Sequence, residues 1–307
     1  MGAVRTVVTG GAGFIGSHVV ELLLARGHEV WVLDNLSRGS SENVPEQATL
    51  SVGGIRDADA VAALFDEVKP QACFHLAAQI DVRVSIAEPL VDAETNVLGT
   101  ISVLEAARRC DAQVILTSTG GAIYGECAGG PAAETHSRQP LAPYGTSKLA
   151  GEEYLATWNR LYGTRHVALR LANVYGPRQD PHGEAGVVSI FLSHLLERAP
   201  AKIFGSGSQT RDYVYAGDVA RALLAATERS GGVYNIGTGV ETSVSELYDR
   251  CQQASGITLA PEHAPARLGE LQRSVLDCSL AASELGWRPE LALADGLRAT
   301  WEWVSGA

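Results

Sequence analysis

The stretch "VVTGGAGFIGSH", Val7–His18, decides how the chain is read, because it places Gly10, Gly13 and Gly16 between an apolar strand and a helical segment. The spacing is G-x-x-G-x-x-G. Small residues at these positions let backbone N–H groups approach a pyrophosphate, and the positive end of the following helix favours its charge. A glycine triplet alone is weak, but here it has the strand–loop–helix context that the chemistry needs. Working outward, the next strand, "EVWVLD", ends in Asp34, 18 residues after Gly16. A carboxylate there accepts hydrogen bonds from the adenosine ribose hydroxyls and repels a 2′-phosphate. Arg38, four residues later, is the one feature that argues for NADP. The acid holds the position nearer the ribose, so the reading favours NAD. No G-x-x-x-x-G-K-[ST] run is present, which excludes a P-loop nucleotidase.

Further along, strand and helix patterns alternate: "SHVVELLLARG" helix, "DADAVAALFDEV" helix opened by Asp57 or Asp59, "ACFHLAA" strand, "VLGTISVLEAARRC" helix, "QVILTST" strand, "PYGTSKLAGEEYLATWNRLYG" helix and "HVALRLANVYG" strand. Continuous apolar strands separated by helices imply a parallel sheet covered on both faces. The expected fold is α/β, a Rossmann-like doubly wound parallel sheet with a smaller C-terminal substrate-binding lobe. Residues 1–172 form the dinucleotide domain, with 212–239 returning to it, and 173–307 form most of the lobe.

With 24 Lys and Arg against 35 Asp and Glu, the net charge is −11, which argues against a nucleic-acid partner. The five cysteines are scattered, odd in number and without C-x-x-C spacing, so neither a disulfide framework nor a metal site is expected. No apolar run reaches membrane-spanning length. A strand starting almost at the first residue fits no signal peptide, and the protein is expected to be cytoplasmic.

In "LAPYGTSKLAGEEYL", Leu141–Leu155, Tyr144 and Lys148 stand four apart and so share one face of a helix. Alone, such a pair is most often a half-buried phenol beside a solvated ammonium. Downstream of a dinucleotide loop it takes on another meaning. Together with "TGGAGFIGSH", "LDNLSRG", "HLAAQIDVRVS", "ETNVLGT", "STGGAIYGE", "RLANVYGPRQ", "TRDYVYAGDVA" and "YNIGTG", in this order over nearly the whole chain, it resembles the extended short-chain dehydrogenase/reductases of the NAD-dependent epimerase/dehydratase family, and among them the nucleotide-sugar 4-epimerases.

The resemblance implies NAD-dependent inversion of C4 in a UDP-hexose, with Tyr144 as acid–base residue and Lys148 as its helper. A free tyrosine near pKa ~10 is less than about 1% ionised at neutral pH, and moving it to about 7 takes roughly 4 kcal/mol. The ammonium and the cofactor's positive ring are expected to supply that. The resemblance further implies cofactor contacts from Gly10, Gly13, Phe14, Ile15, Gly16, Asp34, Asn35, Ser37, Arg38, Gly39, Gly54, Ile55, Leu76, Ala77, Ala78, Gln79 and Asn96. For the UDP-sugar it implies Asn173, Val188, Lys202, Ile203, Phe204, Arg211, Arg267 and Glu270, and a homodimer joined through helices around 91–109 and 144–162.

Two positions depart from the family pattern. The Ser or Thr that normally bonds the reacting hydroxyl falls, counting back from Tyr124, on Gly120; Thr119 is the expected substitute, with Ser118 in reserve. Gly54 stands where an acid often binds the adenine. A 4,6-dehydratase would need Asp-Glu after the catalytic Thr, where Gly120 and Gly121 stand. Net oxidation of a nucleotide sugar, modification of a UDP-glucuronate and a non-catalytic NAD-binding module stay open beside epimerisation. The resemblance implies that Ser274 occupies a position that often gates the sugar pocket in the family. Its small side chain leaves room for N-acetylhexosamines alongside UDP-Glc and UDP-Gal. His75, on an apolar strand, reads as a core histidine.

Overall fold

The computed structural model describes residues 3–127, 129–181, 186–266 and 271–306. Its strands are β1 Arg5–Thr9, β2 Glu29–Asp34, β3 Thr49–Val52, β4 Ala72–His75, β5 Gln113–Thr119, β6 Val167–Leu171, β7 Asn173–Tyr175, β8 Lys202–Phe204, β9 Thr210–Tyr215, β10 Val233–Ile236, β11 Glu241–Ser243, β12 Glu262–Ala264 and β13 Arg273–Ser274. Seven of them form one sheet in the order β10-β6-β5-β4-β1-β2-β3, every pairing parallel. Alternation along β1 explains why both faces are covered. Val7 packs with Phe65, Val103, Leu104 and Leu155 on one side, while Val8 packs with Val20, Leu23, Phe74 and Leu223 on the other. This is the doubly wound Rossmann-like arrangement expected from the alternation of apolar strands and helices.

The chain order reverses between β1 and β4, and a ligand crevice opens at the carboxyl ends of strands where that happens. Both loops leaving that point are held close together. Gly10 is in the left-handed region (φ 72°), and a Cβ there would come within 2.7 Å of the Ala77 nitrogen. Glycine at 10 is therefore needed for both conformation and space.

"HVALRLANVYG" is not one strand but two. It leaves the main sheet at Ala172, and β7 pairs with β9 in a second, four-stranded sheet built from β11-β9-β13 with β7 beside it. The chain thus passes from the main sheet to the second sheet within a single apolar run, a bend that a continuous hydrophobic pattern does not record. The lobe adds the parallel pair β8–β12 and a core of Phe191, Leu192, Leu247, Tyr248 and Leu297. The 212–239 segment supplies β10 to the main sheet and the helix Ala216–Ala226, whose Val219 and Leu223 join the core around Val8.

Candidate active site

The helix Phe14–Ala25 begins at Gly13 without a side-chain cap and with no acidic residue in its first turn. Its first N–H groups are thereby left to an anion. Gly16 closes the loop: a Cβ there would sit 2.0 Å from the Gly10 carbonyl oxygen. Phe14 and Ile15 form the first turn beside it. Asp34 is buried at the end of β2, where its Oδ2 accepts from the Ala12 N–H (3.0 Å) and its Oδ1 from the Leu36 N–H (2.8 Å). The carboxylate is thus fixed beside the glycine loop with acceptor capacity to spare. Asn35 Oδ1 accepts from the Ser37 N–H and hydroxyl at 3.1 and 2.7 Å, turning the exposed Asn35–Arg38 loop back. Gly39 lets it touch Ala12, since a Cβ would lie 2.7 Å from that carbonyl. This set, an uncapped helix end, a cradle only glycine fits and a buried carboxylate beside it, fits a dinucleotide. Gly54 lies next to Asn35, and the Ile55 side chain is buried against Gly99.

On the other side of the crevice the Leu76–Gln79 loop is pinned from beneath. Ala77 N–H donates to Thr9 Oγ1 (3.2 Å), and Thr9 Oγ1 lies 2.7 Å from His75 Nδ1. His75 Nε2 lies 3.1 Å from Thr100 Oγ1, which donates to the Asn96 carbonyl at 2.6 Å. With the Thr100 proton committed to Asn96, only an Nε2–H tautomer satisfies every partner. Burial, with the Lys148 charge adding, pushes His75 down to about 3. It is a neutral, saturated core residue, as its apolar strand suggested. Asn96 clamps the same loop: its Oδ1 accepts from Gln79 N–H (2.8 Å) and its Nδ2 donates to the Gln79 carbonyl (2.9 Å).

Pro143 starts the helix Pro143–Tyr162. Gly145 lets this helix approach the segment after β5, because a Cβ would lie 2.4 Å from the Ala122 carbonyl oxygen. Tyr144 is thereby brought to the end of β5, where the nearby Thr119 hydroxyl favours its ionised form. Burial dominates nevertheless and pushes the Tyr144 phenol up to about 12, with Thr119 opposing it and Asp92 adding to it. This reverses the expected direction for the protein alone: the ammonium one turn on does not outweigh loss of solvent. Lys148 is itself buried, which brings it down to about 8 against the opposing charges of Glu152 and Asp92.

Gly120 has a packing reason. An ideal Cβ there would lie 2.5 Å from Leu276 Cδ1 and 2.8 Å from Cδ2. The space a side chain at position 120 would take is filled by Leu276, from far along the chain. The Ser118 hydroxyl is buried without a partner among the described residues. A Cβ on Gly121 would lie 3.7 Å from Asn173 Oδ1 and 4.0 Å from both Ser274 Oγ and Thr119 Oγ1. Three residues far apart in sequence therefore converge around Gly121. Arg211 stands opposite Ser274 in the β9–β13 register. Val188 and Ile203 are buried in the lobe core, flanked by Lys202, exposed, and Phe204, half-buried. Arg267 and Glu270 lie outside the described residues.

Thr119 thus ends β5 and Tyr144 and Lys148 open the helix packed on it, two strands along the doubly wound sheet from the glycine loop. The family model "NAD dependent epimerase/dehydratase family" matches residues 6–237, and the chain belongs to that family. It is 47% identical over 306 residues to the UDP-glucose 4-epimerase of Mycolicibacterium smegmatis, covering 97% of both chains. Among solved structures it is similar to UDP-glucose 4-epimerase from Thermotoga maritima with UDP-glucose (TM-score 0.95, 44% identity, 97% and 98% of the two chains). It is also similar to the Thermus thermophilus UDP-glucose 4-epimerase complex with NAD (TM-score 0.94, 45% identity, 99% of each). Among the described residues no cluster of His, Cys, Asp or Glu could hold a metal, and no helix is long and apolar enough to cross a membrane.

Proposed function

We propose that the protein interconverts UDP-hexoses epimeric at C4, using NAD, with UDP-glucose and UDP-galactose as the first substrates. One observation supports the reading: Thr119 ends β5 and Tyr144 and Lys148 open the helix that packs on it, two strands along the sheet from the glycine loop after β1, in a chain matched nearly end to end by UDP-glucose 4-epimerases. NAD, when bound, supplies reversible storage of the C4 hydride, so a 4-keto sugar forms transiently and is reduced on its other face.

In this reading Tyr144 takes and returns the C4 hydroxyl proton, and Thr119 orients that hydroxyl. A phenol that burial raises to about 12 is a poor base. It therefore requires Lys148 and the positive charge of the bound cofactor to become competent. Gly10 to Gly16, Asp34 to Gly39, Gly54, Ile55, Leu76 to Gln79 and Asn96 hold the cofactor. Asn173, Arg211, Lys202 to Phe204, Val188, Arg267 and Glu270 hold the UDP moiety, whose binding energy steadies a sugar free to turn. Ser274 leaves space for an N-acetyl group. Residues 1–172 with 212–239 act as the cofactor domain and most of 173–307 as the substrate lobe. Exposed Leu98, Tyr154, Leu161 and Tyr162 on neighbouring helices support a homodimer face, and five free cysteines support a reducing, cytoplasmic setting.

The test is a proton NMR time course on purified protein with UDP-glucose, UDP-GlcNAc and UDP-glucuronate separately, adding no cofactor. Growth of the C4 epimer's anomeric signal to an equilibrium mixture is expected with UDP-glucose. A keto or shortened sugar, or a stoichiometric need for NAD, would overturn the reading.

A further inference from the structure

The turn Gly176–Gln179, after β7, carries none of the site residues, and its backbone is strained. Arg178 sits in the left-handed region (φ 69°), which a residue other than glycine seldom adopts. Its guanidinium holds two side chains of the helix Phe14–Ala25, the helix that follows the glycine loop. Nη1 and Nη2 donate to the two carboxylate oxygens of Glu21 at 2.5 and 2.8 Å, and Nη2 also lies 2.9 Å from His18 Nδ1. Arginine has no acceptor, so His18 Nδ1 must accept and Nε2 must carry the ring proton. That proton has a partner, because the Pro177 carbonyl oxygen lies 3.1 Å from Nε2. Two consecutive residues of the turn thus hold opposite edges of one imidazole. Burial, with the Arg178 charge adding, brings His18 down to about 4, in keeping with a neutral ring.

A neighbouring strand reaches the same ring. Tyr215 ends β9, with its ring 6.4 Å from that of His18, and Tyr175, which ends β7, meets Tyr215 edge-on at 5.8 Å. From the helix itself Phe14, in the first turn beside the glycine loop, meets His18 edge-on at 6.0 Å. The carboxyl ends of two paired strands of the second sheet therefore converge on one histidine, a single helical turn from that loop. This sheet also carries Asn173 on β7, Arg211 on β9 and Ser274 on β13. As a device for global stability the tie is poor. Glu21 is 47% exposed, and an ion pair open to water contributes little, while the left-handed arginine works against it.

We propose that Arg178 is a positioning residue for the bound dinucleotide: by gripping His18 and Glu21 it locks the second sheet beside the glycine loop, and release of NAD requires that grip to open. The proposal rests on the family's use of NAD and not on which sugar is turned over.

The test is a pulse-chase on the full chain, loaded with radiolabelled NAD and diluted into excess unlabelled NAD, with the label retained on the protein read over time. Arg178→Gly is the decisive variant, because glycine adopts the left-handed turn without strain and only the side chain is lost. It is expected to release NAD about tenfold faster than wild type, as for loss of roughly one charge-assisted hydrogen bond. Glu21→Ala, which leaves the His18 contact, is expected to release it about threefold faster. The double variant should match Arg178→Gly within about twofold, since both act through one tie. A release rate for Arg178→Gly within about twofold of wild type, or rate factors that simply multiply in the double variant, overturns the proposal. A merely structural Arg178 would lower the urea midpoint and leave the release rate unmoved. Should Arg178→Gly not fold, Glu21→Ala decides, its side chain being half exposed: faster release sustains the proposal and an unchanged rate overturns it. The exchange needs no turnover. Failure to interconvert UDP-glucose would sink the epimerase reading and leave the Arg178 result standing.

Discussion

Restoring the family's usual hydroxyl at position 120 should damage the protein rather than improve it. In Gly120→Ser the new Cβ would lie 2.5 Å from Leu276 Cδ1 and 2.8 Å from Cδ2, well inside van der Waals contact. Leu276 has little freedom to yield. It is 1% exposed, its side chain packs with Ile123, Tyr124 and Cys127, and its backbone bridges to Ala132. Overpacking of this kind costs about 1–3 kcal/mol. Leu276→Ala alone should cost about 2–5 kcal/mol through the cavity it opens. Combined, the serine occupies space that the leucine vacates, so the double variant should be about 1–2 kcal/mol more stable than the sum of the singles predicts. Urea unfolding of the four proteins measures the cycle, with unchanged m-values as the check that the same transition is compared. A Gly120→Ser variant within about 0.5 kcal/mol of wild type, or a strictly additive double variant, would refute the reasoning. Leu276 would then not be what excludes a side chain at 120.

Lys148→Met should abolish turnover yet stabilise the cofactor-free chain. Folded Lys148 titrates at about 8 against an ordinary value of 10.5, so below pH 8 its buried charge costs the whole interval, about 3 kcal/mol at ~1.4 kcal/mol per pH unit. Between 8 and 10.5 the unfolded chain holds the extra proton, so wild-type stability rises with pH and meets that of the variant near the upper end; parallel stability curves would count against the buried ammonium. Comparing the two proteins cancels the opposite contribution of Tyr144, which enters only above pH 10. Thr119→Ala should lower kcat by about 100-fold with KM little changed, and intact turnover would remove Thr119 from the site. Ser274→Tyr should suppress UDP-GlcNAc turnover selectively over UDP-glucose, whereas equal loss of both would mean that residue 274 does not gate the sugar.

What could be read from the sequence was whatever the chain writes locally. The glycine loop, the acid ending β2 and the Tyr–Lys spacing each lie within one supersecondary unit, where periodicity and backbone chemistry constrain residue choice directly. Thr119 was expected for a related reason, being the hydroxyl nearest the displaced position on β5. What stayed hidden lies between units. The bend at Ala172 interrupts no hydrophobic pattern, because β6 and β7 are both core-facing, each in its own sheet. Gly120 looks like a defect until Leu276, from the far end of the chain, is seen to fill its space. The Tyr144 phenol departs from expectation for the deepest reason. Spacing reports which charges are near, but the direction of a shift also depends on how much water is lost, and burial is a property of the whole fold. The same desolvation that raises Tyr144 lowers Lys148, so the protein alone holds both groups closer to neutrality than a solvated pair would be. In the proposed reaction, base strength then depends on the positive charge of the bound cofactor through the burial of the pair itself.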